Sequence, residues 1–361
     1  MSQKIVLNKF ELSSNNRPYF IADIGANHDG DLQRAFKLIE LAKEAGADAA
    51  KFQNFTADKI VSKKQFDSNV EKKSHQSTWK KSVYEVYKDA SISQQWTERL
   101  YEKCKSIGIE YLTTPYDFNS LEHVDPFLNF YKIGSGDISW IDFIEAVAKK
   151  NKPIILSSGA SNIDDVKRAI STINKIHNKI VLLQCNTNYT ASDENYDYIN
   201  LNVLKTYNKL FPDIQYGLSD HTYGSETVLG AIALGARVIE KHFTDDNTRV
   251  GPDHKFAMNP VTFRQMVDSS MKVWRALGTS EKNVTENEKE SYFIQRRSLY
   301  AAKDLSKGET LKEGDLIPLR PIVSEGIEPF NKNKVIGKVI QRDIKIGDPI
   351  RIGDVLDEKG Q

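Results

Sequence analysis

A chain of 361 residues, 39% hydrophobic and 27% charged, is larger than one average domain and carries enough apolar material for a sizeable core, which excludes disordered and low-complexity classes. Fifty Lys and Arg against 49 Asp and Glu leave a formal charge of +1, so no global field draws the chain to nucleic acid or to an anionic membrane, and any anionic ligand must be held locally. The opening MSQKIVLNKFELSSNN has no apolar targeting segment and no run of 18 apolar residues occurs, so neither secretion nor membrane spanning is expected, and the reading is cytoplasmic.

Along the first two thirds, eight runs rich in β-formers recur: FIADIG from Phe20, ADAAKFQ from Ala47, IEYLTTP from Ile109, NFYKIGS from Asn129, PIILSSG from Pro153, IVLLQCN from Ile180, IQYGLSD from Ile214 and RVIEKHF from Arg237. Segments of helical period separate them, such as LQRAFKLIELAKEAG and ETVLGAIALG. Eight β runs alternating with helices predict an α/β fold, a (β/α)₈ TIM barrel of parallel strands joined by short loops, over residues 1–280. TFRQMVDSSMKVWRALG supplies its last amphipathic helix. The polar stretch 281–294 has no apolar pattern and reads as a linker, and 295–361 breaks into short β-like pieces at KG, EG and IG turns, predicting a small β-rich domain. Cys104 and Cys185 are too far apart in sequence for a CxxC site and are expected as buried free thiols, which suits a reducing compartment.

In a βα barrel the active site is built at the C-terminal strand ends, and polar residues collect there in this sequence. In order these are Asp23; Lys51 and Gln53; Thr113 and Thr114; Lys132 with Ser135 and Asp137; Ser157 and Ser158; Asn186 to Tyr189; Ser219 and His221; Glu240 and His242. A lysine in a strand is expensive to bury unless paired, so Lys51 and Lys132 form either structural ion pairs or an anion site, and the hydroxyls of Ser135, Ser157 and Ser219 favour the anion. His221 and His242 end consecutive strands. Each alone reads as a hydrogen-bonded core histidine; together, with Glu240 two residues before the second, they suggest a divalent metal site with open positions. The loop TDDNTRVGPDHK after His242 is either a solvated loop or a substrate-contacting lid that carries Asp253.

The motifs IADIGANHDG, AGADAAKFQ, KIGSGD, ILSSG, GLSDHT, ALGARVIEKHFT and GPDHKF, in that order over roughly residues 17–280, resemble the sialic acid synthase family, which includes N-acetylneuraminate, legionaminic acid and pseudaminic acid synthases. The tail resembles the antifreeze-like, or SAF, domain that closes these enzymes. The resemblance implies condensation of phosphoenolpyruvate with an open-chain N-acetylated amino sugar to give a nine-carbon 2-keto acid and phosphate. By position in the motifs, Lys51, Thr114, Lys132, Ser135, Ser157 and Ser219 would take phosphoenolpyruvate. His221 and His242 would hold a divalent metal, most commonly Mn²⁺, and Gln53, Asp137, Tyr189 and Asp253 would contact the sugar. Arg320 would also contact the sugar, reaching over the barrel of a second subunit, which implies a homodimer with exchanged caps. Asp23 is placed to steady positive charge at C2 and to take a proton from water, as a catalytic carboxylate. Asp23 and Asp137 stand where the family has Glu, the sixth strand end reads NTNYTA without Tyr-Pro, and the arginine loop RPIVSEGI is longer than usual. These departures lie near the sugar or C2 while the phosphate and metal positions are intact, so they bear on the sugar and not on the reaction type; the expected activity is a synthase for an N-acetylmannosamine-like sugar. The alternatives are the same chemistry on a diacetamido-trideoxy-hexose, or a silent phosphoenolpyruvate- or sugar-binding protein.

Overall fold

In a computed structural model, which describes residues 4–68, 76, 79–190 and 192–356, the chain divides into two compact units, 1–278 and 279–361. The first opens with a hairpin that sequence pattern did not reveal, β1 (Ile5–Leu7) and β2 (Phe10–Leu12), turning at Asn8 with φ +55°. All eight expected barrel strands follow: β3 (Tyr19–Asp23), β4 (Ala49–Asn54), β5 (Glu110–Pro115), β6 (Tyr131–Ile133), β7 (Ile154–Ser157), β8 (Ile180–Cys185), β9 (Gln215–Asp220) and β10 (Val238–His242). They run parallel in the order β5-β4-β3-β10-β9-β8-β7-β6, with β6 coming back against β5 in a nearly closed barrel.

Strand alternation divides the barrel into two apolar populations. Phe20, Ala22, Ala50, Phe52, Leu156, Leu182, Leu218 and Ile239 point outward and pack under the helices. Tyr19, Ile21, Ala49, Leu112, Ile155, Val181, Leu183 and Val238 point inward, where Ile5, Leu7 and Leu12 of the hairpin join them as a floor. The apolar filling therefore occupies the N-terminal half of the barrel, and the inward positions at the C-terminal ends are free for polar residues.

The helices begin where short polar side chains cap them. Asp31 accepts from the Gln33 and Arg34 amides to start α1 (Leu32–Glu44), which buries Leu32, Ala35, Leu38, Ile39 and Ala42. The expectation of short loops fails after β4. Residues 55–93 carry α2 (Ala57–Ile60), α3 (Lys63–Ser68) and α4 (Val83–Ala90, with a Ser82/Glu85 capping box) before α5 (Gln94–Ile107). That stretch is rich in Lys, Gln and Ser and has no strand period, so it was not recognised as structured. The remaining barrel helices are α6 (Phe118–Val124), α7 (Ile141–Lys149), α8 (Ile163–Asn174), α9 (Val203–Leu210), α10 (Glu226–Ala233) and α11 (Pro260–Leu277).

The second unit contains α12 (Lys289–Gln295), β11 (Ser298–Ala301), β12 (Leu316–Leu319), β13 (Val339–Ile340) and β14 (Val355–Leu356) in two antiparallel pairs. Leu299, Leu305, Leu311, Ile340, Ile344 and Ile350 form its core. The stretch expected as a linker is partly helical: Thr285 and Glu288 form a reciprocal cap just ahead of α12, a local signal that the lack of an apolar stripe concealed. Cys104 and Cys185 are buried and free, and burial pushes the Cys185 thiol up to about 11. Among the described residues no helix is long and apolar enough to cross a membrane.

Candidate active site

Because successive strand residues face opposite ways, one parity at the C-terminal strand ends defines the site. Asp23, Lys51, Gln53, Thr114, Lys132, Ser157, Ser219, Glu240 and His242 all face inward and line a cavity of about 630 Å³. His221, Ser135, Asp137, Tyr189 and Asp253 join them from the connecting loops. The opposite parity leaves the site: Thr113 donates to Asn54 Oδ1, and Ser158 Oγ donates to the Leu183 carbonyl. Arg320 lies in the second unit, exposed immediately after β12.

Within the cavity both lysines are buried. Lys51 Nζ lies 2.6 Å from Asp23 Oδ2 and 3.8 Å from Glu240 Oε2. Lys132 Nζ donates to Ser157 Oγ (2.8 Å) and to the Ile133 carbonyl (3.0 Å), and lies 3.6 Å from Glu240 Oε1, which also accepts from Ser219 Oγ at 2.8 Å. Burial alone would push Glu240 up, but Lys132, Lys51 and the Ser219 hydroxyl together hold it ionised, below the usual carboxylate range. Burial likewise opposes the charge on both lysines. For Lys51, Asp23 and Glu240 more than offset it and raise the pKa, whereas Lys132 stays below the ordinary lysine value. The ion-pair and anion-site readings of these lysines are therefore compatible: the cations are paired, and they line a cavity. Asp137, beside them, is pushed up to about 6 by burial, against the pull of Lys132.

Beside them, His221 and His242 lie with ring centroids 5.3 Å apart. The Asn186 carbonyl accepts from His221 Nδ1 at 2.7 Å, which fixes the tautomer and leaves Nε2 with its lone pair. Burial, then the neighbouring His242, hold His221 neutral. His242 Nδ1 is buried with no hydrogen-bond partner, 3.6 Å from Asp253 Oδ2, and its Nε2 is 3.5 Å from Asp23 Oδ2. Among the described residues no group of three or more His, Cys, Asp or Glu is arranged around a metal position. The protein donor set is thus two imidazoles, one with an orphaned nitrogen, which suits a borderline divalent ion that keeps positions open for other ligands.

Two glycines permit this crowding. Gly25 sits at φ +49°, and a Cβ there would stand 2.8 Å from Asp253 Oδ2, whose carboxylate accepts from the Ala26 amide at 3.2 Å. Gly159, at φ +56°, is so close to Ser135 that a Cβ would collide with it. The sequence reading gave one contributor a different partner and missed two others. Glu240 was visible by parity with His242 but was associated with the histidines, whereas it bridges the lysines. Tyr116, one residue past β5, lines the cavity, and Phe256 packs edge-on against His242 at 5.0 Å; single aromatics in loops carry no periodic signal.

Paired, buried ammonium groups, hydroxyls and imidazoles around one chamber are suited to activating a small anion, and the class that fold and site define is an anion-binding (β/α)₈ enzyme. Residues 38–282 match the NeuB family and residues 296–356 match the SAF domain. The chain is 36% identical to N,N'-diacetyllegionaminic acid synthase of Legionella pneumophila, covering 91% of this chain and 92% of that one. It is 33% identical to pseudaminic acid synthase of Campylobacter jejuni, covering 95% and 98%. A solved N-acetylneuraminic acid synthetase from Leptospira borgpetersenii, in complex with citrate, superposes with a TM-score of 0.71 at 29% identity, over 81% of this chain and 95% of that one. The chain therefore belongs to the NeuB family of nonulosonic acid synthases, and it is an enzyme, a phosphoenolpyruvate-using transferase that forms a carbon–carbon bond.

Proposed function

We propose that this enzyme condenses phosphoenolpyruvate with the open-chain aldehyde of an N-acetylmannosamine-like amino sugar, releasing phosphate and a nine-carbon 2-keto acid. The observation that carries the reading is one cavity lined both by Lys51, Lys132 and hydroxyls and by two histidines, one with an unpartnered nitrogen. Lys51, Lys132, Thr114, Ser135, Ser157 and Ser219 hold the phosphoenolpyruvate anion. His221 and His242 hold a divalent ion, Mn²⁺ foremost, which supplies Lewis acidity to the sugar aldehyde. Gln53, Asp137, Tyr189 and Asp253 orient the sugar. C3 of the enol bonds to the aldehyde carbon, C2 becomes electron-deficient and water adds there. Asp23 steadies the charge at C2 and takes the water's proton, and loss of phosphate leaves the ketone.

A second reading, the same chemistry on a 2,4-diacetamido-2,4,6-trideoxyhexose, is supported by the identity with the diacetyllegionaminic acid synthase. Phosphate release measured with phosphoenolpyruvate, Mn²⁺ and a panel of both sugar types decides between them: turnover confined to the diacetamido sugars selects the second reading, and none with any sugar overturns both. Chelation is expected to abolish turnover and Mn²⁺ to restore it. We assign Arg320 to the site of a second copy in a homodimer with exchanged caps, in a cytoplasmic setting. Mixing inactive Arg320→Ala and Lys132→Ala chains is then expected to restore activity, and a sedimenting monomer with full activity refutes the assignment.

A further inference from the structure

The outward residues of β9 and β10 belong to the apolar seam under the helices, with Tyr216, Leu218 and Ile239 among them. Two charges interrupt that seam. Asp220 and Lys241 are Cα partners in the β9/β10 ladder, their side chains are each 1% exposed, and Lys241 Nζ lies 2.8 Å from Asp220 Oδ2. Neither lines the catalytic cavity. Lys241 also donates to the carbonyls of Thr222 (2.6 Å) and Gly224 (3.1 Å). Asp220 accepts from the Thr222 amide (3.2 Å), the Thr222 hydroxyl (3.0 Å to Oδ1) and the Thr227 hydroxyl at the start of α10 (2.7 Å).

A buried ion pair in an apolar seam is weak evidence for stability, because well-packed apolar residues of similar volume generally serve as well or better. What this pair does supply is position. His221 lies between Asp220 and Thr222, both tied to the Lys241 ammonium, and His242 is the residue after Lys241. One ammonium on β10 thus grips the β9 strand end on both sides of one histidine and is itself the chain neighbour of the other. Since adjacent strand residues face opposite ways, a fixed pair on the outer surface sets the separation of the two imidazoles on the inner one.

We propose that Asp220 and Lys241 are positioning residues that hold His221 and His242 at the spacing needed to share one divalent ion; this rests on the metal reading given above. The test is Mn²⁺ alone, titrated into the full-length protein while the free ion is followed by electron paramagnetic resonance, alongside thermal melting and phosphoenolpyruvate-induced stabilisation. The paired variant Asp220→Leu/Lys241→Met removes both charges together and is expected to melt near the wild type and to retain the phosphoenolpyruvate response. It is expected to bind Mn²⁺ about 10- to 100-fold more weakly, the usual effect of losing groups that orient metal ligands. Asp220→Asn, which keeps volume and an acceptor, gives a smaller loss in the same direction and serves if the paired variant does not fold. A merely structural pair would lower the melting temperature and leave Mn²⁺ affinity unchanged, and that result overturns the proposal. A wild-type protein that binds no Mn²⁺ overturns the metal reading first and this one with it, whereas equal affinity in wild type and variants overturns this one alone.

Discussion

Glu240→Gln separates the cost of holding two buried cations from their use. The carboxylate lies 3.6 Å from Lys132 Nζ and 3.8 Å from Lys51 Nζ. Each contact is worth about 4 kcal/mol of gross attraction at an effective permittivity of roughly 20, most of it consumed by desolvation, and breaking a buried pair costs about 3–5 kcal/mol net. Lys51 keeps Asp23 at 2.6 Å, so the loss falls mainly on Lys132, whose protonated form burial already disfavours. Gln retains the volume and an oxygen for Ser219, so no cavity or orphaned hydroxyl confuses the result. The free enzyme is expected to melt roughly 6–20 °C lower, at about 2–4 °C per kcal/mol for a large domain. Phosphoenolpyruvate, as an anion, would replace the missing counter-charge, so its stabilising effect is expected to be larger in the variant than in the wild type. Differential scanning fluorimetry with and without phosphoenolpyruvate measures both numbers. An unchanged melting temperature, or a smaller ligand-induced rise than in the wild type, would refute the view that Glu240 is the counterion of an anion site.

Three further outcomes follow from the same geometry. Asp23→Asn should lower kcat by about 10²–10⁴-fold with little change in either KM, while Asp23→Glu should keep measurable activity; near wild-type turnover in Asp23→Asn would pass its role to another group. Lys132→Ala should weaken phosphoenolpyruvate by about 2–5 kcal/mol and the sugar much less, and equal losses in steady-state kinetics would make the lysine scaffold. Asp137, raised in the fold from 3.8 to about 6, binds more protons folded than unfolded between those values, so charging it weakens the fold as pH rises from about 4 to 6, by on the order of 3 kcal/mol at most. Asp137→Asn should therefore be the more stable protein at neutral pH and lose that advantage near pH 4; parallel melting curves across this range would contradict the assignment.

The barrel was legible because its strands carry two signals at once, a buried β-branched run and a polar terminus. Lys51 and Gln53, or Glu240 and His242, differ by two residues, and that spacing alone places them on one face. The hairpin at Ile5–Leu12 escaped because three-residue strands give too few alternations to register, although its floor residues Ile5, Leu7 and Leu12 are among the most buried in the chain. The 55–93 connection escaped for a different reason: its helices are short and polar. Within the site, the identity of the lining residues followed from motif and parity, but their pairing did not. No spacing rule tells that Glu240 turns to the lysines instead of the histidines, because that is settled by the barrel closing β10 between β3 and β9, which sets Glu240 beside Ser219 and within reach of Lys51 and Lys132.

The two faces of β9 and β10 show how the same residue types are divided between support and chemistry. On the outer face, Lys241 and Asp220 find acceptors and donors within the protein, including two carbonyls and two hydroxyls, so the pair has nothing left to offer a ligand. On the inner face, Thr114 Oγ1, Asp137 Oδ2, Glu240 Oε2 and His242 Nδ1 are buried without hydrogen-bond partners, and all four residues line one cavity. A buried polar atom costs about 1–3 kcal/mol unless something partners it, so four such atoms within one chamber mark it as the place where hydrogen-bonding groups are to be received. A ligand that carries both acceptors and a hydroxyl, and a cation that accepts an imidazole lone pair, would partner those atoms on binding. The inner face and the outer one are therefore complementary: the fold leaves hydrogen-bonding capacity open in the chamber that the proposed substrates would enter and fixes the walls of that chamber with groups whose own capacity is used within the protein.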